Sequence, residues 1–330
     1  MNTSKNLKVG VIGVGHLGQH HVKHFASLVN TVLVGVYDLN PTRANEIANL
    51  YNVKSYNTID ALLSSCDAIS IVTPTTQHAE VAELCIKNGK HVFIEKPITK
   101  TVAEADHLLS LTKKNETILQ VGHIERLNPA LLALKDYELK PKFIEVQRLA
   151  PYNVRGTEVP VVLDLMIHDI DIILSLVNSP VKNIRASGVS IMTNSVDIAN
   201  ARIRFENGTV ANLTSSRIAQ NKVRKLKFFQ RDMYVTIDFL LGLTEVYRAI
   251  DSDITVSNAM ITAPLESNGG HRSIVYEKPS IKKTDALRLE LTNFIESVQG
   301  KSKPIVDGKA GRDALEVATN IHKMIIEDVH

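Results

Sequence analysis

The chain has 330 residues, 44% of them hydrophobic, and a formal net charge of +3. It is too apolar for a disordered protein, long enough that two domains are expected, and too evenly charged to suggest a nucleic-acid or membrane partner. Its start is short and polar, without the charged-then-apolar order of a secretory signal, and no apolar run approaches the roughly 18 residues of a membrane span.

Through residue 121 short apolar runs alternate with helix-period segments. Residues 7–13 read as a buried strand and 17–25 as a helix. Residues 31–38 are a second strand, and Pro41, well placed for a first helical position, opens a helix at 41–51. Strands follow at 68–72, 91–94 and 118–121, with helices at 77–88 and 102–115 between them. Such alternation implies a parallel sheet with helices on both faces.

From residue 142 to 276 the pattern becomes mostly strand, interrupted by one helical stretch at 161–177. Asn207-Gly208 lies between two runs rich in strand formers, 199–206 and 209–216. That is a hairpin signal whose two-residue turn needs positive φ at both positions. Strands of this kind predict an antiparallel sheet, and helices at 286–298 and 312–328 close the chain. The expected fold is an N-terminal Rossmann doubly wound parallel sheet (α/β) with a C-terminal α+β domain built on a largely antiparallel open sheet. The boundary is expected between Gly122 and Pro129, dividing the chain into 1–125 and 126–330.

Cys66 and Cys85 are the only cysteines. They form no disulfide framework and have no partner at metal-ligand spacing, so they read as small buried side chains in a cytoplasmic protein.

Gly13-Val14-Gly15-His16-Leu17-Gly18 fits G-x-G-x-x-G directly after a strand and before a helix. The first glycine permits the tight turn, the second lets backbone approach a pyrophosphate, and the third lets helix and strand pack closely. Asp38 ends the second strand 20 residues beyond Gly18, where a carboxylate accepts adenosine ribose hydroxyls and repels a 2′-phosphate. NAD is therefore the expected cofactor. Arg43 lies close enough to pair with such a phosphate, but reads as a solvated residue on the following helix. His16, His20 and His24 recur at i, i+4 and i+8, with His21 beside them. No carboxylate or Cys completes a metal set there and a helix beside pyrophosphate has little room, so no metal is expected. His16 is a candidate near the phosphates; the other three read as surface or packing residues.

Two constellations carry chemistry. Glu95-Lys96-Pro97 stands at the C-terminal end of a strand, where ligands of open α/β sheets bind. Taken alone, Lys96 would read as an ordinary exposed lysine. In the apolar stretch 161–177, Asp164, His168 and Asp171 fall at i, i+4 and i+7, one stripe of an α-helix. Either the stripe is a structural hydrogen-bond network, or it lines a cleft as an acid/base histidine between two carboxylates. His168 has an ordinary pKa near neutrality, which suits proton removal from an alcohol.

The glycine fingerprint, Val72-Thr73-Pro74 with His78, Gly89-Lys90-His91-Val92, Glu95-Lys96-Pro97, Asp164 with His168, and Asp307-Gly308-Lys309-Ala310-Gly311 together resemble the glucose–fructose oxidoreductase / inositol dehydrogenase (Gfo/Idh/MocA) family. The resemblance spans nearly the whole chain. It implies a catalytic set of Lys96, Asp164 and His168. His168 would take the proton from a sugar hydroxyl as hydride passes to NAD, Lys96 would hydrogen-bond the reacting oxygen, and Asp164 would orient the sugar. It implies a cofactor site of Gly13, Gly15, His16, Leu17, Gly18, Asp38, Thr73, Pro74, His78, Glu95 and Lys96, and makes Lys96–Pro97 a candidate cis peptide.

Residues 121–129 and 162–174 resemble one branch of that family, whose members oxidise the C3 hydroxyl of UDP-N-acetylglucosamine for an aminotransferase, in lipid A and lipopolysaccharide amino-sugar synthesis. Leu127 departs from the Phe usual there. A diphosphate needs cations. Arg155, in the loop before the helical stretch, is the preferred contact, with Arg126, Asn128, Arg217, Asp164 and His168 as further substrate-binding candidates. The basic run Lys222, Arg224, Lys225 and Lys227 reads first as a solvated face. A free polyol such as inositol, or a UDP-sugar acid, is the rival substrate. A non-catalytic NAD-sensing regulator is the rival of another class, and it has no need of Lys96, Asp164 and His168. The resemblance also implies a homo-oligomer, a dimer or tetramer.

Overall fold

In the computed structural model the described residues are 6–153, 159–254, 256, 259–267 and 270–329. The chain forms two compact units that are discontinuous in sequence. The first comprises Met1–Ile124 and Asp285–Glu316, the second Glu125–Thr284 and Val317–His330.

The first unit runs β1 (Leu7–Ile12), α1 (Gly18–Phe25), β2 (Thr31–Tyr37), α2 (Pro41–Tyr51), β3 (Lys54–Ser55), α3 (Ile59–Leu63), β4 (Ala68–Ile71), α4 (Thr75–Lys87), β5 (His91–Glu95), α5 (Val102–Asn115) and β6 (Leu119–Gly122). Its sheet has the order β3-β2-β1-β4-β5-β6, with every pairing parallel. The chain reverses direction across β1, leaving a crevice beyond the ends of β1 and β4. Local chemistry sets the helix starts. Asn40 caps α2 ahead of Pro41, Thr58 caps α3, and Thr101 with Glu104 forms a capping box on α5. The short β3 and α3 carry too few apolar residues to show a period, which is why they escape a reading by pattern.

The second unit begins with a 3₁₀ turn (Ile124–Leu127), α6 (Pro129–Leu132) and β7 (Phe143–Leu149). A π-helical turn (Val162–Met166) then runs into α7 (Ile167–Val177). The strands β8 (Val181–Val189), β9 (Ile198–Phe205), β10 (Val210–Ser216), β11 (Val223–Gln230), β12 (Met233–Asp238), β13 (Leu243–Asp251), β14 (Ala259–Ser267) and β15 (Gly270–Glu277) follow. They make a nine-stranded sheet ordered β14-β15-β13-β12-β11-β7-β10-β9-β8. It is antiparallel except for β7 and β10, which pair in parallel from Phe143/Val210 to Leu149/Ser216. A parallel neighbour needs a crossover connection, and the helix α7 lies in the connection between them.

The hairpin at 207–208 forms, but its turn differs from expectation. Only Gly208 has positive φ (85°). Phe205 and Thr209 pair across a three-residue loop, with Gly208 N–H donating to Phe205 O, the longer hairpin form that needs a single left-handed residue.

Helices α8 (Ala286–Val298) and α9 (Gly308–Val329) end the chain. Helix α8 belongs to the first unit. Leu287, Leu291, Phe294 and Ile295 join Val9, Val11, Phe25, Val36, Ile47 and Phe93 in one core, with Phe294 edge-on to Phe93 at 5.8 Å between ring centres.

Candidate active site

The glycine fingerprint folds for steric reasons that can be stated residue by residue. Gly13 has φ +86°, and a Cβ there would lie 2.7 Å from the Val72 carbonyl oxygen; a Cβ on Gly18 would lie 1.9 Å from that of Gly13. Around Gly15 there is no atom within 4 Å of a Cβ position, so open space stands where a ligand must approach backbone.

Val14, between the first two glycines, is gripped on both sides. Its N–H donates to Asp38 Oδ2 at 2.8 Å, and its carbonyl accepts from Arg43 Nε at 2.9 Å. Arg43 also donates to Gln19 Oε1 at 3.0 Å and pairs with Glu46 at 2.8 Å. It is therefore no solvated bystander, as its sequence position suggested, but a strut of the loop.

A cavity of about 650 Å³ opens along the ends of β2, β1, β4 and β5, lined by Gly13, Gly15, Leu17, Asp38, Thr73, Pro74, His78, Glu95 and Lys96. That volume suits a cofactor. Asp38 stands at the β2 end of this cavity and Lys96 at the β5 end. Two further observations fit a dinucleotide: the open approach at Gly15 and the buried Thr73 hydroxyl, which has no hydrogen-bond partner. His16 and Gly18 lie outside the lining; Gly18 acts by packing, and His16 is exposed near the end of the loop, edge-on to His20.

His78 is fully buried, with Nδ1 2.8 Å from the Pro97 carbonyl and Nε2 2.9 Å from that of Thr73. It fastens the turn after β4 to the turn after β5. Burial holds its pKa below the ordinary histidine value, against the two carbonyl contacts that favour the cation. The Lys96–Pro97 peptide is cis. His21 is fully buried and hydrogen-bonded rather than merely packed: Nδ1 is 2.9 Å from Ser70 Oγ and Nε2 3.1 Å from Glu95 Oε1. His24 contacts Asp285 at 3.4 Å. Among the described residues no group of three or more His, Cys, Asp or Glu is arranged to hold a metal ion. Both cysteines are free and buried, and burial pushes the Cys66 thiol up to about 11.

In the second unit, Asp164 lies in the π-helical turn and His168 in the first turn of α7, both half-buried. The Ile167 N–H bonds to the Val162 carbonyl, five residues back, so the expected α-helical stripe is interrupted by a wider turn of a kind often found at functional sites. Asp171, the other carboxylate of the stripe, has a partner of its own. It is 1% exposed and takes a two-pronged bond from Arg126, Nε at 2.7 Å and Nη2 at 2.6 Å.

Beside it, buried Arg148 donates Nε and Nη2 to Asp169 at 2.9 and 2.8 Å and Nη1 to Glu125 at 3.0 Å. Burial disfavours the Arg148 cation, but the Asp169 and Glu125 carboxylates outweigh it and its pKa rises above its ordinary value. Burial likewise pushes the Asp169 carboxyl up while Arg148 pulls it down, and a guanidinium bonded to both oxygens keeps the two as an ion pair. These forks fix α7 against β7 and the 124–127 turn, and with it the helix that carries Asp164 and His168. Asn128 caps α6 through Ala130 N–H and donates to Glu125. Arg217 is buried, with Nη2 donating to the Val159 carbonyl. Arg155 lies outside the described residues. Lys222, Arg224 and Lys225 are exposed, as a solvated face would be; Arg224 contacts Glu125 and Lys225 contacts Asp238.

Fold and fingerprint together define an NAD-dependent oxidoreductase. Residues 7–123 match the oxidoreductase family with an NAD-binding Rossmann fold, and residues 151–233 match the GFO/IDH/MocA C-terminal domain. The chain belongs to the Gfo/Idh/MocA family. It is 36% identical to a UDP-N-acetylglucosamine 3-dehydrogenase of Acidithiobacillus ferrooxidans over 96% of both chains. It superposes on the solved structure of a UDP-N-acetylglucosamine 3-dehydrogenase from that organism with a TM-score of 0.87, over 97% of both chains at 35% identity. It is also 29% identical to a scyllo-inositol 2-dehydrogenase (NAD(+)) of Bacillus subtilis, over 95% of this chain and 93% of that one.

Proposed function

We propose that this protein oxidises the C3 hydroxyl of UDP-N-acetylglucosamine to the 3-keto sugar with NAD. The observation that carries this reading is the likeness to the Acidithiobacillus ferrooxidans UDP-N-acetylglucosamine 3-dehydrogenase, which covers 96% of both chains at 36% identity. When bound, NAD would supply the acceptor for the hydride that leaves the sugar carbon. On the protein's side, the His168 imidazole takes the hydroxyl proton, and what remains is a C=O. The Lys96 ammonium donates a hydrogen bond to the reacting oxygen and stabilises negative charge on it, while Asp164 accepts from a neighbouring hydroxyl and orients the ring. Asp38 would hold the adenosine ribose, the Gly13–Gly18 loop the pyrophosphate, and Thr73, Pro74, His78 and Glu95 the nicotinamide end. Arg155 and Arg217 supply charge for the UDP diphosphate. Arg126 acts through Asp171 on the helix that bears His168. The ketone product suits an aminotransferase, which places the reaction in 2,3-diamino-sugar synthesis for lipid A and lipopolysaccharide.

A dimer or tetramer of this chain is part of the same proposal. On one face of the nine-stranded sheet, Phe229, Tyr234, Tyr247 and Tyr276 stack across four strands, with ring centres 4.6, 5.6 and 4.7 Å apart. Phe229 is 38% and Tyr247 36% exposed, an apolar band that a second copy would cover.

The test supplies NAD with UDP-N-acetylglucosamine, UDP-sugar acids and inositols, and reads NADH absorbance together with the product mass. The reading requires UDP-N-acetylglucosamine to be turned over with loss of 2 mass units, and inositol oxidation instead would establish the rival substrate. Lys96→Ala and His168→Ala should each lower kcat about a hundredfold or more, with NAD affinity kept within about threefold. Near-wild-type rates in both would refute the mechanism.

A further inference from the structure

Beneath the cavity floor lies a buried polar series that the proposed chemistry does not use. Ser70 on β4 and His21 on α1 are both 0% exposed. Ser70 Oγ stands 2.9 Å from His21 Nδ1, and His21 Nε2 stands 3.1 Å from Glu95 Oε1. A carboxylate can only accept, so Nε2 carries the proton and donates to Glu95; in the neutral ring Nδ1 then accepts from the Ser70 hydroxyl. The order serine, histidine, carboxylate is that of a hydrolytic triad, but this serine is sealed inside the sheet and does not line the cavity, so it cannot act as a nucleophile. What emerges at the cavity is the other end, Glu95, whose side chain is 12% exposed and whose Oε2 accepts the Lys96 N–H at 3.2 Å. From the far side Gly122 closes in: a Cβ there would lie 2.9 Å from Glu95 Oε1.

We propose that His21, backed by Ser70, is a positioning residue of the NAD site that acts through Glu95, fixing its carboxylate at the nicotinamide end of the cavity. The proposal rests on the reading of Glu95 as a cofactor contact. A buried donor on one oxygen, a backbone N–H on the other and a missing Cβ at Gly122 leave the carboxylate a single place to stand. With both ring nitrogens paired, the imidazole leaves no buried polar group unbonded, and an unpaired group there would carry the full desolvation penalty. Phe93 packs edge-on against the His21 ring, with ring centres 5.5 Å apart.

The test is a double-mutant cycle on NADH binding, followed by NADH fluorescence, which needs no sugar substrate. His21→Asn and Glu95→Gln should each raise the Kd about five- to tenfold, and the double variant should bind no worse than Glu95→Gln alone, because the histidine acts only through the carboxylate. Gly122→Ala, which crowds Glu95 while leaving His21 and Ser70 intact, should raise the Kd by a similar factor, and Ser70→Ala about twofold. These two variants keep the test open should His21→Asn not fold. A His21 that matters only for packing would lower Tm without moving the Kd, or add its full effect on top of Glu95→Gln; either outcome overturns the proposal. If Glu95→Gln alone binds NADH as tightly as wild type, the cofactor reading of Glu95 is what fails, while a weakened Glu95→Gln beside an unaffected His21→Asn and Gly122→Ala refutes the positioning role.

Discussion

Arg43 shows how a charged residue changes meaning once its neighbours are known. Its sequence position, five residues beyond Asp38, suits either a 2′-phosphate ligand or a solvated helix residue. In the fold all three guanidinium nitrogens are engaged, with Val14, Gln19 and Glu46. With Asp38 accepting the N–H of the same residue, Arg43 braces the glycine loop. Arg43→Met should therefore weaken NAD binding about tenfold, the worth of one charge-assisted hydrogen bond of about 1.4 kcal/mol. Isothermal titration would measure it. The same variant should not weaken NADP binding further, which separates a strut from a phosphate ligand.

Arg148 could have been noticed from sequence. In the alternating strand at 143–149 it occupies an inward position beside Ile144 and Val146. A buried cation demands carboxylates. Which ones was not legible, since Glu125 and Asp169 come from elements far apart in the chain.

At the scale of elements, the connection between β8 and β9 is tied down by one carboxylate. Asp197 accepts the N–H groups of Ile191, Met192 and Thr193 and the Thr193 hydroxyl, and the neighbouring Val196 carbonyl takes the Val161 N–H at the start of the π-helical turn. Burial pushes the Asp197 carboxyl up, but these donors outweigh it and bring its pKa down to about 2. A carboxyl lowered in the folded state stabilises it above the unfolded value near pH 4 and ceases to do so as pH falls toward 2. The full contribution is about 2 kcal/mol. Asp197→Asn should lose about that much at pH 7 in urea unfolding. The gap between variant and wild type should close between about pH 4 and pH 2, and a gap independent of pH would contradict the assignment.

The interrupted helix at 162–177 belongs to this scale too. Hydrophobic residues nearly all round hide the period, so nothing in the spacing distinguishes a π-helical turn from an α-helical one. The partners of Asp169 and Asp171 had to be seen before the acidic stripe could be divided into a buried anchor and a candidate site.

For the whole molecule, the exposed aromatic ladder on β11, β12, β13 and β15 carries the oligomer proposal. Phe229→Glu puts a charge at one end of the band, so the wild-type protein should elute with a dimer mass or larger and the variant as a monomer in light scattering. A wild-type monomer at micromolar concentration would refute it. The division into units also lies at this scale. Residues 285–316 return to the first unit, where Leu291 and Phe294 complete its core. Amphipathic period alone marks such a helix without saying which core it joins.

Taken by itself, the amino-acid sequence determined whatever depends on neighbours a few residues apart. Backbone geometry makes Gly13, Gly15 and Gly18 readable in a row, alternation reveals strands, and Pro41 marks a helix start. The position of Asp38 at a strand end follows from the same local order. Tertiary structure alone decided what each of these polar side chains is bonded to: Arg43 to a carbonyl of the glycine loop, His21 to Ser70 and Glu95, Arg126 to Asp171, Arg148 to Asp169 and Glu125. The reason is physical. A turn or a helix start is a short-range compromise of sterics and hydrogen bonding, whereas an ion in a low-dielectric interior must be met by whichever opposite charge the chain brings back to it, and sequence distance sets no limit on where that partner comes from.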